Sequence, residues 1–388
     1  MNDSSEPAPY LQDFLENYWD LIAGTIFAIV AFILHKTGQI YLSTLFAGLG
    51  IAAFSFTVSE IAEILAERLQ EPYASFVLTF SAVAVEILLL FMILLESSHG
   101  SSALETVKGG IISAVIVDMN VLLGIAVFIG GLRFKEQEHN EDTSSTYTTI
   151  LLVASVALLV PSLLQYSKGS GESIMIASYI IAFLLMIYYI TIFIFQTKTH
   201  IHFFKATARS RIFRLRRKKA NRAEESEEHE EDYVFEKLPN TGNFFAIFGL
   251  IFTIGIIAEI FASDGMQIAK NYGISPALAG LVIAIISVSP ELFTAIKAAK
   301  SDQIQRVVNI AMGASTVSIL LTVPILMMLA PLAGISLSLD FNSLQIGALI
   351  LTVILAWKTT DNGETNYVEG ISHLMFFLAY AVIAAFYH

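Results

Sequence analysis

The sequence predicts an all-α polytopic membrane protein with about 11 transmembrane helices, built as two inverted five-helix repeats plus one extra N-terminal span. Three observations support this prediction. Apolar residues make up 55% of the 388 residues, and charged residues make up 14%, well below the roughly 25% of an ordinary soluble domain. The charges are grouped, so they leave apolar stretches of the roughly 20 residues that cross a bilayer. Features of the first half also recur in the second.

The apolar stretches predict eleven spans, and the basic residues predict their orientation. In chain order the spans are 19–35, 38–58, 73–95, 109–131, 147–165, 173–195, 243–262, 276–297, 307–330, 343–357 and 367–386. Most of the 22 Lys and Arg residues fall on the side of the N-terminus; the other side holds Lys36, Lys108, Lys168 and Lys270. Because Lys and Arg concentrate in cytoplasmic loops, the N-terminus and the loop 200–241 are predicted to be cytoplasmic, in a cell (inner) membrane.

In each half the same features follow one another: an Ile-Ala-Glu-Ile segment, a proline, a glutamate inside the next span, and an asparagine in the span after that. The pairs are 61–64 and 257–260, Pro72 and Pro276, Glu86 and Glu291, and Asn120 and Asn309. Five spans per repeat is an odd number, so the second copy is inverted. That plan is typical of secondary transporters, whose ion site lies at the repeat interface near the midplane.

The duplication predicts four regions. Residues 1–37 hold the N-terminal tail and first span, 38–199 the first repeat, 200–241 a cytosolic loop, and 242–388 the second repeat. The loop carries a basic run and then an acidic run at 224–232. Such charge blocks are usually solvated or disordered, and a regulatory cation-sensing role is the alternative.

Glu86 and Glu291 are the central candidates for function. A charged carboxylate at the centre of a membrane helix costs on the order of 3 kcal/mol on insertion scales, and such residues mark ion or proton pathways. The simpler explanation is a permanently protonated side chain that bonds a neighbouring helix. Two glutamates at matching places in inverted repeats favour transport over that explanation.

The surrounding residues offer oxygen ligands for a cation. Pro290 deprives the Ile286 carbonyl of its helical partner, and freed carbonyls at broken helices bind cations. Ca²⁺ takes six to eight oxygens, and Na⁺ would need fewer. The predicted ligands are Glu86, Glu291, Ser287, Ser289, Ile286, Asn120 and Asn309. Asp118, Glu63 and Glu259 are predicted as possible gating acids, with interhelical hydrogen bonding or a solvated helix end as the simpler alternatives.

The same two carboxylates predict proton coupling. Like charges in a low-dielectric cavity hold protons strongly, and a cation that offsets their repulsion displaces those protons. Exchange is obligatory if only the protonated and cation-bound states reorient. The sequence therefore predicts Ca²⁺, Na⁺ or K⁺ exchanged for H⁺, with Glu86 and Glu291 as the proton-coupling groups. We expect no cofactor and no nucleic acid, only a lipid bilayer and inorganic cations as partners; the oligomeric state stays open.

At these residues the chain resembles the cation/proton exchanger branch of the calcium:cation antiporter superfamily, and within it the bacterial sodium(potassium)/calcium–proton antiporters. The matching stretches are 68–75 leading to Glu86, 196–200, 289–291, and 303–309 leading to 313–315 and 322–324. The resemblance implies eleven spans, an acidic loop between the repeats, and Glu86 and Glu291 as the exchange carboxylates.

The chain departs from calcium-selective members of that superfamily. They carry Gly-Asn shortly before each glutamate, where this chain has Ala82-Val83 and Ser287-Val288, and a glutamine in place of Val317. Fewer oxygen ligands favour a monovalent or mixed cation range. The alternative function is therefore a Na⁺(K⁺)/H⁺ antiporter with little calcium activity.

Two other classes of protein fit the sequence less well. An intramembrane hydrolase needs a Ser–His pair, paired aspartates or a His-Glu-x-x-His zinc motif within its spans, and the predicted spans contain none. The absence of cysteine removes thiolate catalysis and Cys-ligated zinc. A passive channel is disfavoured because the carboxylates lie in opposed repeats instead of a ring of subunits. The chain is accordingly predicted not to be an enzyme.

Overall fold

A computed structural model describes residues 9–69, 73–97, 101–166, 170–204 and 233–386. Pro72, the basic run of the long loop and the acidic run 224–232 lie outside the described residues. The described part is almost entirely helical, as the sequence predicts, and ten of its helices are long and apolar enough to cross a membrane. A further apolar helix of 24 residues, Tyr73–Glu96, stands at the predicted third span.

The described part of the first half contains seven α-helices. They are α1 Pro9–Lys36, α2 Ile40–Arg68, α3 Tyr73–Glu96, α4 Ser101–Val117, α5 Leu123–Phe134, α6 Glu141–Tyr166 and α7 Gly171–Ile194. A π-helical turn, Asp118–Leu122, joins α4 to α5, and the strand β1, Glu136–Glu138, follows α5. After α7 come a π turn, Phe195–Thr199, and a 3₁₀ turn, Ile201–Phe204.

After a short helix, the second half repeats the helix order of α2 to α7. Its helices are α8 Val234–Lys237, α9 Asn240–Tyr272, α10 Pro276–Lys300, α11 Ile304–Val317, α12 Val323–Leu332, α13 Ser343–Thr360 and α14 Tyr367–Phe386. A π turn, Ser318–Thr322, joins α11 to α12, at the place where Asp118–Leu122 joins α4 to α5. The strand β2, Glu364–Asn366, precedes α14 and pairs antiparallel with β1.

Local sequence signals fix several helix ends that position the site. The Ser275 hydroxyl accepts a hydrogen bond from the Leu278 backbone N–H, and Pro276 occupies the first turn of α10, where a missing N–H costs nothing. Asn342 and Gln345 form a capping box at the start of α13. Gly273 ends α9 with a φ of 62°, a left-handed conformation that glycine adopts without strain.

Long-range contacts agree with eleven crossings of the membrane. We call the face at which α1 begins the N-face and the other the opposite face. Residues separated by an even number of crossings must share a face. β1 and β2 follow the fourth and tenth spans and pair with each other, and Lys108, after the third span, pairs with Asp340, after the ninth, at 2.8 Å. His35 and Asp264, at the ends of the first and seventh spans, lie 3.0 Å apart.

Large apolar side chains cover the outside of the helix bundle. Phe245, Phe252 and Phe183 are each more than two-thirds exposed. In water such a surface would favour aggregation, whereas a lipid bilayer covers it without cost. The chain is therefore a multi-pass membrane protein, and its polar interior lies between the two repeats.

The bundle is tightly closed between α4 and α10, near the opposite face. A Cβ atom built on Gly280 would lie 2.5 Å from the carbonyl carbon of Gly109, and one built on Gly109 would lie 2.8 Å from the Pro276 carbonyl oxygen. Only glycine at these positions allows the two backbones to approach so closely. We call this contact, made by Gly109, Gly110, Pro276 and Gly280, the glycine seam.

Candidate cation site between the two repeats

Glu86 lies on α3 and points at the second repeat. Its side chain is buried, and its Oε2 atom accepts hydrogen bonds from the hydroxyls of Ser318 at 2.9 Å and Thr322 at 3.0 Å. Both donors belong to the π turn between α11 and α12. Its Oε1 atom is buried without a hydrogen-bond partner among the described residues. Glu86 therefore offers one oxygen that is held and one that is available to a proton or cation.

Asp118 opens the corresponding π turn of the first repeat and is 1% exposed. Its Oδ2 atom accepts a hydrogen bond of 3.2 Å from the Ser315 hydroxyl on α11, and its Oδ1 atom has no partner within the described chain. Its carboxyl group interacts electrostatically with Glu86 and Glu291. Asp118 thus belongs to the same acidic centre; a gating role for it stays a prediction.

Glu291 follows Pro290 on α10, and its Oε2 atom is also buried without a partner in the part of the chain that the structure describes. The side chain lines a small cavity of about 10 Å³, roughly the room for one water molecule. Unlike Glu86, it receives no side-chain hydroxyl hydrogen bond among the described contacts. The two glutamates therefore have different surroundings despite their matching places in the repeats.

Pro290 in α10 does not leave the Ile286 carbonyl without a hydrogen-bond donor, in contrast to the prediction from the sequence. The Ile286 carbonyl, which Pro290 deprives of a backbone donor, accepts a hydrogen bond of 2.7 Å from the Ser289 hydroxyl. The Ser287 hydroxyl donates to the Ala284 carbonyl at 3.0 Å, and Ser287 lines the cavity at Glu291. The Ile286 carbonyl is therefore engaged by Ser289 in this conformation. Of the two serines, Ser287 agrees better with the predicted role of cation ligand, because it lines the cavity at Glu291.

Carboxylates from both repeats meet in one buried centre. Glu86 and Glu291 are close enough to repel each other electrostatically, and Asp118 adds a third charge. Burial of several unneutralised carboxylates is strongly unfavourable, so protons or cations must compensate them. Within the described residues, no three Asp, Glu or His side chains are close enough to hold a metal ion together.

Asn120 lies in a separate polar network. Its Nδ2 donates to the Ile116 carbonyl and the Thr352 hydroxyl, and its Oδ1 accepts from Nδ1 of His373, each within 3.1 Å. His373 on α14 is fully buried, and its Nε2 accepts from the Thr359 hydroxyl at 3.0 Å. Asn120 is therefore occupied in joining the first π turn to α13 and α14, and the predicted ligand role finds no support in this conformation.

Asn309 lies near the N-face and not at the acidic centre. Its Nδ2 donates to the Phe204 carbonyl at 2.8 Å, and its Oδ1 accepts from Gln305 at 3.2 Å. Gln305 also accepts from the Asn140 backbone N–H and donates to the Thr143 hydroxyl. This network ties the 3₁₀ turn before the long loop to α6 and α11. The structure does not bring Asn120 and Asn309 together.

The other predicted gating acids occupy different surroundings. Glu63 on α2 forms an ion pair of 2.5 Å with Arg306 on α11, which links the two repeats at the N-face. Glu259 on α9 is exposed. Glu63 therefore lies where it can affect the separation of the repeats, whereas a gating role for Glu259 stays a prediction.

Comparison with known proteins identifies the family. The model of the family described as sodium/calcium exchanger protein matches residues 35–202 and 242–386. The chain belongs to the sodium/calcium exchanger family. The match covers both repeats and leaves out the N-terminal tail, most of the first span and the central loop.

Named relatives match over most of their length. The sodium-potassium/proton antiporter ChaA of Escherichia coli is 26% identical over 340 residues, 87% of each chain. A Ca²⁺/H⁺ antiporter of Aphanothece halophytica is 24% identical over 312 residues, 79% of each chain. The solved Ca²⁺/H⁺ antiporter protein YfkE has a TM-score of 0.72 at 16% identity and covers 95% of this chain and 99% of its own. This last likeness confirms the fold.

The sequence pattern missed several residues of the site. Ser318, Thr322 and Ser315 are hydroxyl donors to the carboxylates, but single serines in an apolar span give no signal by themselves. His373 is the centre of a buried network and was not predicted. One warning was visible: Asn120 follows Glu86 by 34 residues, whereas Asn309 follows Glu291 by only 18, so the two asparagines are not equivalent.

Proposed function

We propose that the chain is a secondary active antiporter that exchanges Ca²⁺, Na⁺ or K⁺ for protons, with Glu86 and Glu291 as the groups that alternately bind them. The observation that carries this proposal is that one carboxylate from each half enters the same buried centre with an oxygen that has no hydrogen-bond partner among the described residues. Family membership and the antiporters among the relatives support the same reaction.

The coupling follows from the cost of buried charge. With both glutamates ionised, the centre holds repelling charges in a low-dielectric interior, so a rearrangement that seals it from water is strongly opposed. Protons or a cation remove that opposition, and each displaces the other because both neutralise the same oxygens. Only the protonated and the cation-bound forms then switch the side of the membrane to which the site opens, as obligatory exchange requires.

We place the open side of this conformation at the N-face. The glycine seam closes α4 against α10 on the opposite side. Toward the N-face, Ser59 and Glu63 stand one and two helical turns beyond the Ser55 level on α2 and are only half-buried. The distribution of Lys and Arg favours a cytoplasmic N-face, in a cell (inner) membrane.

The second candidate is a Na⁺(K⁺)/H⁺ antiporter with little calcium activity. No three acidic or histidine side chains of the described chain form one chelating group, whereas Ca²⁺ takes six to eight oxygens, often from several carboxylates. The relative from E. coli is named for sodium and potassium, and the one from A. halophytica for calcium, so the relatives leave both candidates open.

Proton flux in proteoliposomes tests the proposal and separates the candidates. Purified protein is reconstituted with an internal pH dye, and Na⁺, K⁺ or Ca²⁺ is added outside. We expect proton movement that depends on both the cation and the protein, and movement with Ca²⁺ separates the mixed antiporter from the monovalent one. A pH gradient that collapses equally without added cation would contradict antiport.

A further inference from the structure

Three of the serines that line the cavity at Glu291 have no role predicted from the sequence. It is lined by Ser55 and Ser59 of α2, Ser81 of α3, and Ser287 and Glu291 of α10, with two valines and Pro290 completing the wall. Its volume of about 10 Å³ is close to that of one water molecule. Four serines and one glutamate therefore line a space with room for about one water molecule or ion.

Two of these serines, Ser55 and Ser287, can act toward a bound group only as acceptors. The Ser55 hydroxyl donates its proton to the Ile51 carbonyl at 2.7 Å, and the Ser287 hydroxyl donates its proton to the Ala284 carbonyl at 3.0 Å. A serine oxygen that has spent its only proton on its own helix can act toward any other group only as an acceptor. Such oxygens suit a cation and cannot donate to an anion.

The charge of the cavity limits the ion that it can take. Glu291 is the single ionisable group in the wall, and its Oε2 atom lacks a partner among the described residues. One carboxylate neutralises one positive charge. A divalent ion here would need a second counter-charge; Glu86 and Asp118 interact electrostatically within the same acidic centre, but neither lines this cavity.

We propose that Ser55, Ser59, Ser81 and Ser287 form, with Glu291, a binding site for one monovalent metal cation, Na⁺ or K⁺, on the N-face side of the acidic centre. This inference rests on the proposed antiport and adds its cation ligands and their selectivity. Ser55, Ser59 and Glu63 recur every four residues on α2, so they share one helical face and lead from the site toward the Glu63–Arg306 ion pair.

Alanine variants test the ligand role by kinetics. Ser55→Ala and Ser59→Ala should each raise the apparent KM for Na⁺ or K⁺ about tenfold, the loss expected for one contact to a charged group, while the maximal rate is retained. The matched control is Ser155→Ala on α6, which removes a buried hydroxyl that has no described partner and should leave KM unchanged. Wild-type KM values in both Ser55→Ala and Ser59→Ala would overturn the proposal.

Two further variants give readouts that a structural role would not move. Ser59→Asp adds a second negative charge at the cavity and should shift the preference toward Ca²⁺, with the KM ratio of Ca²⁺ to Na⁺ falling about tenfold. Ser59→Cys creates the single thiol of a chain without cysteine, and Na⁺ or K⁺ should slow its labelling in detergent. A labelling rate that neither Na⁺ nor K⁺ changes would contradict the proposed site.

The outcomes separate this inference from the proposed function. If wild-type protein moves protons in a cation-dependent way but the serine variants match it, the antiport stands and the serine site is wrong. If wild-type protein shows no such flux, while Na⁺ or K⁺ still protects the thiol of Ser59→Cys, the site stands and the antiport fails.

Discussion

Substitution of Gly280 tests whether the glycine seam is a closed gate. A methyl group at this position would lie 2.5 Å from the Gly109 carbonyl carbon, whereas ordinary van der Waals contact begins at 3.4 Å. The helices α4 and α10 would have to separate by about 1 Å or accept an overpacking cost of about 1–3 kcal/mol. If that cost falls on the closed conformation alone, its population falls about 5- to 150-fold relative to a conformation in which the helices are apart.

The assay uses the absence of native cysteine. Ala277→Cys places one thiol beside the seam, at a residue that is 3% exposed, and its labelling by a membrane-impermeant reagent added at the opposite face reports opening. Gly280→Ala should speed labelling and slow exchange. Gly249→Ala on α9 is the matched control, because no heavy atom lies within 4 Å of its added Cβ. Unchanged labelling and transport in Gly280→Ala would refute the closed seam.

Three other predictions follow from single side chains. Asp118→Asn keeps an acceptor for Ser315 and removes a charge from the centre, so the KM for cations should rise about tenfold, or about 1.4 kcal/mol; an unchanged KM would remove Asp118 from the site. Asn120→Ala leaves Nδ1 of His373 without its partner, so thermal stability should fall by about 1–3 kcal/mol while the cation KM stays constant; a raised KM at normal stability would instead support a ligand role for Asn120. His139 lies outside the spans, and burial lowers the pKa of its imidazole to about 4. The unfolded chain binds a proton at this imidazole near pH 6.5, whereas the folded chain does so only near pH 4. The free energy of unfolding is therefore highest above pH 6.5 and falls as the pH decreases toward 4, by at most about 3 kcal/mol. His139→Gln should flatten this part of the melting-temperature profile, and an equally steep profile would contradict the assignment.

The sequence was sufficient to predict the membrane architecture and the two central acids. Hydrophobic length is a strong signal, because an apolar stretch of about 20 residues has few alternatives to crossing the bilayer. Glu86 and Glu291 stood out because a carboxylate is costly at that depth. Both properties belong to a single stretch of chain and can be recognised without knowing which helices are neighbours.

The ligands of those acids depend on contacts between distant segments. Ser318 and Thr322 reach Glu86 from more than 200 residues away, and the π turn that carries them has no sequence signature of its own. The Ser289 hydroxyl donates to the Ile286 carbonyl because it lies within reach on the same turn. This hydrogen bond competes with the predicted use of that carbonyl as a metal ligand. Asparagine is equally suited to joining helices and to binding ions, so its type alone did not distinguish these roles for Asn120.

The roles of Glu86 and Glu291 are tested by cation-driven proton flux in proteoliposomes that contain Glu86→Gln or Glu291→Gln at matched protein content. Glutamine keeps the shape of the side chain but can neither ionise nor carry a proton. Each variant is expected to assemble normally in the membrane and to lose cation-dependent proton flux. Exchange at the wild-type rate by either variant would contradict the assignment of Glu86 and Glu291 as the exchange carboxylates.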